Sequence, residues 1–262
     1  MRRRLPVVYE YFCLYAGLGS LGLMCLAWSP FAALLYLLLP EATGRRVGRL
    51  AITLVFRSYI WQLSALGACR FDIRELDALR DQGPMILAPN HPCLLDAVMV
   101  ISRLPNVACI MKAALLKNIF LGGGARLARY IPNEKPLQMV YAACDDLARG
   151  SQLLIFPEGT RTVRAPVNPI LPSVALIARR AKVPVQTIII ETDSAYLAKG
   201  WPLFRRPAMP IHYRIRLGRR FDPPKDASVF SAELESYFAE ELARAQFVPP
   251  PFPAAAADAS AA

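Results

Sequence analysis

Histidines and paired cysteines, which build many metal and redox centres, are scarce in this sequence. Only two of the 262 residues are histidine, His91 and His212. No two of the six cysteines have metal-ligand spacing, and the chain is too long for a small disulfide scaffold. We therefore expect no metal and no cofactor, and free thiols in a reducing compartment.

Signals for nucleotide and nucleic-acid binding are also missing. The glycines from Gly122 to Gly124 are not followed by Gly-Lys-Ser/Thr, so this stretch does not predict a phosphate-binding loop. The basic residues are scattered and form no RNA- or DNA-binding signature, which argues against a nucleic-acid partner.

Acidic residues are few relative to basic ones, with 20 Asp and Glu against 31 Lys and Arg and a formal net charge of +11. Hydrophobic residues make up 55% of the chain, and the mean hydropathy is +0.30. A chain that is both basic and apolar fits an anionic membrane surface, so we expect a membrane as a partner.

The N-terminal region contains an uncharged stretch from Tyr11 to Leu39, preceded by Arg2 to Arg4. As one helix its 29 residues would extend about 43 Å, more than the roughly 30 Å of membrane hydrocarbon. A tilted single span and a re-entrant helix pair kinked near Ser29-Pro30 both fit, and a buried core helix is the alternative. Arginines on both sides leave the orientation open.

The next stretch, from Arg49 to Gly67, mixes apolar and basic residues. It predicts either an interfacial amphipathic helix or a helix packed on a core. We therefore expect three regions: residues 1–68 as a membrane anchor with an interfacial helix, residues 69–247 as one domain, and residues 248–262 as a disordered, proline- and alanine-rich tail.

From Cys69 onward, apolar runs alternate with helical patterns, which predicts an α/β fold with a mixed sheet flanked by helices. The predicted strands are Met85 to Ala88, Val107 to Met111, Leu153 to Phe156, Val185 to Ile190 and His212 to Leu217. The predicted helices are Pro92 to Arg103, Pro136 to Arg149, Pro169 to Ala181 and Val229 to Ala245. His212 has no motif around it and is interpreted as a strand histidine.

A first candidate site is the segment from Asn90 to Asp96, which lies between a predicted strand and a predicted helix. His91 and Asp96 are five positions apart, about 140° around an ideal helix, so the two side chains would not meet if both were helical. Pro92 suits the first helical position, which would make His91 the N-cap and let its ring lean over the first turn. Asp96 would then hold one ring nitrogen and leave the other as a base.

Two alternatives concern this segment. His91 and Asp96 can be a local capping or ion-pairing arrangement without chemistry, since short motifs match by chance. Cys93 can also be a nucleophile, although a thiol needs a base oriented toward it.

A second candidate site is Phe156-Pro157-Glu158-Gly159-Thr160-Arg161, which follows another predicted strand. Glycine there lets the backbone approach a ligand closely, and arginine supplies a fork of donors suited to a phosphate. An ordinary turn with a surface ion pair is the alternative.

Together the two segments resemble the glycerolipid acyltransferase family, whose bacterial type member is 1-acylglycerol-3-phosphate acyltransferase. Asn90, His91 and Asp96 match the family's Asn-His-x4-Asp motif, and Pro157 to Arg161 match its Pro-Glu-Gly-Thr-Arg motif. The resemblance covers roughly Arg70 to Pro223.

This resemblance implies transfer of a fatty acyl group from acyl-CoA or acyl-carrier protein to a hydroxyl of a lysophospholipid acceptor, with His91 as base and Asp96 as its orienting group. It also predicts an enzyme of the inner (cytoplasmic) membrane whose catalytic domain faces the cytoplasm. Further residues that the resemblance places around the substrates are Asn90, Lys112, Glu158, Gly159, Thr160 and Arg161. Glu158 is expected to orient Arg161 or the acceptor.

The sequence departs from the family pattern on the acceptor side. Asn133 stands where the family's second motif carries an arginine, and Pro92 and Cys93 replace a polar residue and a serine. Thr187 replaces a proline in the fourth motif. A different, specialised lipid acceptor is therefore an alternative, as are a hydrolase and a non-catalytic membrane scaffold.

The stretch from Lys199 to Arg220 mixes basic and aromatic residues. Such a mixture suits a membrane interface, and a solvated charged hairpin is the alternative.

Overall fold

The structure is a computed structural model that describes residues 6–249. The arginines at positions 2–4 and most of the predicted tail, residues 250–262, lie outside the described residues.

The described chain alternates helices and strands. The helices are α1 Val7–Leu38, α2 Glu41–Ala65, α3 Leu95–Arg103, α4 Ala113–Leu116, α5 Gly122–Leu127, α6 Pro136–Ala148, α7 Ser173–Ala181 and α8 Ala227–Ala243, with a 3-10 helix at Arg74–Leu79. The strands are β1 Cys69–Asp72, β2 Ile86–Pro89, β3 Val107–Met111, β4 Ile131–Pro132, β5 Gln152–Leu154, β6 Val185–Thr192 and β7 Ile211–Phe221.

The seven strands form one mixed sheet in the order β1-β7-β6-β2-β5-β3-β4. β6 and β7 pair antiparallel, and the other neighbours pair parallel. The carboxyl ends of β2, β3, β4, β5 and β6 therefore meet at one edge of the sheet, where α/β proteins bind their ligands. The predicted mixed sheet flanked by helices is confirmed.

Two apolar layers cover the two faces of the sheet. Side chains from α1, α2 and α3 pack on one face, and side chains from α6, α7 and α8 pack on the other. β6 is buried along its whole length because both of its faces are covered.

The five predicted strands and four predicted helices of the α/β region are all present, with ends shifted by a few residues. Strands β1 and β4 were not predicted. β4 has two residues, too few for a pattern, and β1 alternates exposed and buried positions at the sheet edge. The error that matters for the site concerns α3, which begins at Leu95 and not at Pro92. The amides of Cys93 and Leu94 are bound by Asp96 Oδ2 and the carbonyl of Leu197, outside any helix ladder.

α1 is one continuous helix through Pro30, so a helix pair kinked near Ser29-Pro30 is not what forms. It contacts the rest of the fold near its beginning, middle and end. Glu10 accepts a hydrogen bond from the Met209 amide at 2.9 Å, Ser29 Oγ donates to the Phe120 carbonyl at 3.3 Å, and the Arg129 guanidinium lies 4.2 Å from the Tyr36 ring centre. The body of the protein therefore lies alongside α1.

The outer face of α1 is apolar and exposed. Only 11% of its most hydrophobic 18-residue window is buried, which disfavours a core helix. By length and composition α1 is able to cross a membrane. Its large exposed apolar side chains are Val7, Val8, Tyr9, Tyr11, Phe12, Tyr15, Leu23, Leu26, Phe31, Leu34, Leu37 and Leu38.

α2 is packed on the core along one side, which favours the second of its two predicted roles. Arg49 is fully buried, and its guanidinium pairs with Asp146 of α6 at 2.5 Å and donates to Ser151 Oγ at 2.7 Å. Gly48 lies so close to the α5 end that an added Cβ would be 2.6 Å from the Ala128 amide nitrogen. A buried ion pair and a tight backbone approach both require α2 to lie against the fold.

Candidate active site

The strand order brings the two sequence motifs together. β2 and β5 are neighbours, so the loops that follow them start side by side at the carboxyl edge of the sheet. The Thr162 amide donates to the His91 carbonyl at 2.8 Å, which joins the two loops through their backbones. The two segments therefore lie side by side in the structure.

His91 and Asp96 form the predicted pair. His91 Nδ1 lies 2.7 Å from Asp96 Oδ2, and the aspartate is 0% exposed while the histidine side chain keeps 15% of its surface open. With Nδ1 occupied by the carboxylate, Nε2 is the ring nitrogen that remains for a substrate proton. The route to this contact differs from the prediction, because His91 is not a helix cap and a turn over residues 92–94 brings the two side chains together.

The Asp96 carboxylate is held on both oxygens. Oδ2 also accepts from the Cys93 amide at 2.8 Å, and Oδ1 accepts from the Cys93 thiol at 3.1 Å. The carboxylate therefore has a defined orientation toward the imidazole. On the other side, the His91 ring stacks on Phe156 with ring centres 3.7 Å apart and planes 18° apart. Phe156 opens the second motif, but sequence reasoning assigned it no role.

Cys93 is a poor candidate for a nucleophile. Its side chain is buried, and burial together with the neighbouring Asp96 carboxylate raises the pKa of the thiol well above its ordinary value. Since the thiolate is the reactive form, a protonated thiol that donates to Asp96 is inert. Cys93 thus orients the aspartate and is not aligned for attack.

Within residues 6–249, no hydrogen bond or ion pair joins the Glu158 and Arg161 side chains, so the first of the two roles expected for Glu158 is not seen. Its Oε1 accepts from the His91 amide and from Thr162 Oγ1, both at 2.8 Å, and its Oε2 accepts from the Asn168 amide at 2.9 Å. Burial raises the pKa of this carboxyl, and the three hydrogen bonds act in the opposite direction. Glu158 is a positioning residue that fixes the backbone of the histidine.

Arg161 lies at the rim of the same site and is half-buried. Its Nη1 donates to the carbonyls of Leu197 and Ala198, each at 2.9 Å. Burial lowers the pKa of the guanidinium, whereas Cys93 and Asp96 raise it. The Leu197 carbonyl also accepts from the Leu94 amide, so the arginine lies beside the turn between His91 and Asp96. Within residues 6–249 the other two nitrogens, Nε and Nη2, make no hydrogen bond and so remain as donors for an anion.

Asn90 is buried and serves the fold. Its amide nitrogen donates to the Ile190 carbonyl at 2.9 Å, and its amide oxygen accepts from the Ile190 amide at 2.7 Å. This two-way bond joins the end of β2 to β6. Both polar groups of the side chain are thus engaged with backbone, and the expected substrate contact stays a prediction.

The sequence and the fold were compared with those of known proteins. The family model described as Acyltransferase matches residues 70–191, which include both motifs. The matched stretch covers a little under half of the chain and is similar to an acyltransferase domain.

Individual relatives agree with this family. The Caenorhabditis elegans protein acl-1, which carries the name of a 1-acyl-sn-glycerol-3-phosphate acyltransferase, is 25% identical over 152 residues. That match spans 54% of this chain and 55% of the relative, about half the length of each. The crystal structure of the 1-acyl-sn-glycerophosphate (LPA) acyltransferase PlsC from Thermotoga maritima has the same fold, with a TM-score of 0.64 at 16% identity over 90% of this chain and 95% of that one.

Gly159 of the second motif has a backbone conformation that favours glycine. This residue has φ +67°, the left-handed region that glycine adopts without penalty. An added Cβ would also lie 2.4 Å from a methyl carbon of Leu171. Gly159 and Thr160 are exposed at the turn, where they shape the loop next to Arg161.

Lys112 and Asn133, the acceptor-side positions, lie together at the ends of β3 and β4. The Asn133 amide donates to the Met111 carbonyl at 3.0 Å, and Asn133 Oδ1 accepts from the Ala113 amide at 3.3 Å. Lys112 is exposed, and because β5 separates β2 from β3, it lies about 10 Å across the sheet from the histidine strand. Asn133 adds no cation beside Lys112, so this chain has one positive side chain where the family pattern predicts two.

Proposed function

We propose that this acyltransferase-family protein moves a fatty acyl group from acyl-CoA or acyl-carrier protein to the hydroxyl of a lysophospholipid. The observation that carries the proposal is the His91–Asp96 pair, whose buried carboxylate leaves Nε2 as the open ring nitrogen. Nε2 takes the proton of the acceptor hydroxyl as its oxygen attacks the acyl carbonyl. The new C–O bond forms, the C–S bond breaks, and the imidazolium returns its proton to the leaving thiolate.

Asp96 fixes the tautomer and stabilises the imidazolium that forms, as the aspartate of a protease triad does. The substrate hydroxyl acts as the nucleophile, so no protein nucleophile is needed. This role for the substrate agrees with the buried, protonated state of the Cys93 thiol.

The test is a transfer assay with purified full-length protein, a labelled acyl donor and a panel of lysolipid acceptors. Both acyl-CoA and acyl-carrier protein are offered, since the basic chain suits either anionic donor. The expected product is a diacyl lipid whose formation needs the acceptor. Release of free fatty acid at the same rate without acceptor would instead indicate a hydrolase, and no turnover with any donor would favour the scaffold alternative.

A second candidate is transfer to a specialised lipid acceptor that carries less negative charge than lysophosphatidic acid. The Asn133 side chain favours it, because the amide caps the β3 end where the family motif supplies an arginine. If the lysophosphatidic acid pathway applies, Asn133→Arg should lower the Michaelis constant for lysophosphatidic acid. An unchanged Michaelis constant, together with faster turnover of a neutral or zwitterionic acceptor, would favour the specialised lipid.

Membrane association and the inner-membrane location are parts of the same proposal. The exposed apolar face of α1 supports them, and because the body lies alongside α1, a helix lying in one leaflet fits better than a perpendicular span. Carbonate washing of cell membranes should leave the full-length chain in the pellet. Recovery of most of the protein in the supernatant would contradict membrane anchoring through α1.

A further inference from the structure

The segment that follows β6, residues 195–209, links the active site to α1. At its start, Leu197 is buried and has φ +59°, a conformation that its neighbours must impose. The Leu197 carbonyl accepts from Arg161 Nη1 at 2.9 Å and from the Leu94 amide at 3.2 Å. This end of the segment therefore holds the arginine beside the dyad.

The other end of the segment is attached to α1 through a buried carboxylate. Glu10 is 3% exposed, accepts from the Met209 amide at 2.9 Å and forms an ion pair with Arg206. The Arg206 guanidinium also lies 5.6 Å from the ring centre of Tyr11 on α1. Since a buried carboxylate is costly unless paired, this junction is a defined contact and not a chance approach of two surfaces.

Between these two anchors, the segment projects two apolar side chains into solvent. A turn closes with a 2.9 Å hydrogen bond from the Arg205 amide to the Pro202 carbonyl. Leu203 and Phe204 at this turn are 47% and 64% exposed. The Phe204 ring stacks on Tyr15 of α1 with centres 6.2 Å apart, so the apolar face of α1 continues onto the turn. Contiguous exposed apolar surface of this kind marks a contact with another apolar phase.

The charges beside the turn identify that phase. Lys199 and Arg205 are exposed on either side of it, and the Arg205 guanidinium lies 5.0 Å from the ring centre of Trp201. Trp201 Nε1 in turn donates to the Arg205 carbonyl at 3.0 Å. Apolar tips flanked by cations and an indole are typical of the headgroup boundary of an anionic bilayer.

We infer that Leu203 and Phe204 form a second membrane-contact element, which enters the same anionic leaflet as the exposed face of α1. Only the purpose of this membrane contact rests on the proposed acyl transfer, and the contact itself does not depend on it. Because Leu197 and Ala198 hold Arg161, docking of this turn places the arginine at the membrane surface, where the head group of a lipid acceptor lies. The acceptor then reaches the dyad without leaving the interface.

A fluorophore reports insertion independently of activity. An environment-sensitive dye is attached to Phe204→Cys, and to Val229→Cys as the matched control, both in a Cys144→Ser background that removes the most accessible native thiol. Val229 is an equally exposed apolar residue, at 67%, on the opposite helical layer. With vesicles of phosphatidylglycerol and phosphatidylcholine, the 204 label should gain emission several-fold and be quenched by brominated lipids, while the 229 label changes little. A 204 label that stays aqueous on protein that co-sediments with the vesicles would overturn the inference.

A second experiment measures the consequence for catalysis. The double variant Leu203→Asp, Phe204→Asp is compared with Val229→Asp on two acceptors, a vesicle-embedded long-chain lysolipid and a short-chain lysolipid kept below its micelle concentration. We expect a loss of about tenfold or more on the vesicle substrate, from burial of two apolar side chains, and less than about twofold on the dispersed one. A double variant that loses the same fraction of the wild-type rate on both acceptors would overturn the inference. An inactive wild-type protein would instead contradict the proposed function, and the label measurement would still decide insertion.

Discussion

The protein contains two histidine–aspartate pairs of nearly the same geometry. His91 Nδ1 lies 2.7 Å from Asp96, and His212 Nδ1 lies 2.8 Å from Asp193. Both pairs lie at the same edge of the sheet, since Asp193 follows β6 and His212 is the second residue of β7. The contact between imidazole and carboxylate therefore does not by itself distinguish an active site from a structural pair.

The surroundings distinguish the two pairs. Asp96 also binds the amide and thiol of Cys93 in the turn that precedes it, and the His91 backbone is held by Glu158 from a second loop. Asp193 instead binds both the ring and the backbone amide of the same His212, at 2.8 and 2.9 Å. That arrangement is a local contact between the end of β6 and the start of β7.

The two pairs also differ in what lies against the imidazole. His91 stacks closely on Phe156 of the second motif, with Arg161 at the rim. The His212 ring packs on Phe247 of the C-terminal segment, with centres 5.8 Å apart. His212 points to the layer of α8, away from the side chains around the dyad, because its β7 neighbours Ile211 and Tyr213 belong to the layer of α1, α2 and α3. The pair that two loops hold is therefore the candidate for chemistry, and the other pair is a local contact within the fold.

The largest expected effect is that of removing the base. His91→Ala should lower kcat by about 10²–10⁴-fold, the usual contribution of a general base, while the protein stays folded. His212→Ala should leave kcat within about threefold and lower stability by about 1 kcal/mol. Initial rates and thermal unfolding of both variants decide the assignment. Equal loss of turnover in the two variants would contradict it.

The orienting carboxylate gives the next effect. Asp96→Asn presents an amide to Nδ1 and favours the wrong tautomer, which in a protease triad costs about 10⁴-fold, and here we expect a loss of at least about 10²-fold in kcat. Asp193→Asn serves as the matched control and should keep most of the activity. Near-wild-type turnover of a folded Asp96→Asn protein would remove the aspartate from the mechanism.

Arg161 is the cation at the rim of the first pair, and its removal tests which substrate the second motif binds. Loss of a charge-assisted contact costs about 1.5–3 kcal/mol, so Arg161→Ala should raise the Michaelis constant of the acceptor roughly 10- to 150-fold. The constant for the acyl donor should change less. Steady-state kinetics with each substrate varied in turn measure both. A rise in the Michaelis constant of the acyl donor alone would mean that the second motif binds the donor.

The smallest effect concerns the thiol between the two members of the dyad. Cys93→Ser keeps a donor to Asp96 and should retain turnover within about threefold, since the proposed nucleophile is the substrate. Because burial raises the pKa of the Cys93 thiol, iodoacetamide at pH 8 should modify the more accessible Cys144 first. An acyl-thioester trapped on Cys93, with an inactive serine variant, would establish covalent catalysis instead.

Much of the α/β order was predictable because each element carries its own pattern. The apolar run of β3 was predicted with its observed ends, and α6 and α8 to within a few residues. The start of α3 was not, since Asp96 and a distant carbonyl bind the amides of Cys93 and Leu94. A proline suited to the first helical turn carries no information about such competing partners.

The sequence by itself determined the candidate site residues, namely a histidine and an aspartate after one strand and an arginine after another. It also determined that α1 is long and apolar. Only the tertiary structure decided that β2 and β5 are neighbours, that Glu158 holds the His91 backbone and not Arg161, and that residues 195–209 join the dyad to α1. These contacts depend on strand order and on pairs far apart in the chain. Local patterns of hydrophobicity and charge set the elements, but packing of the whole sheet selects which of their ends meet.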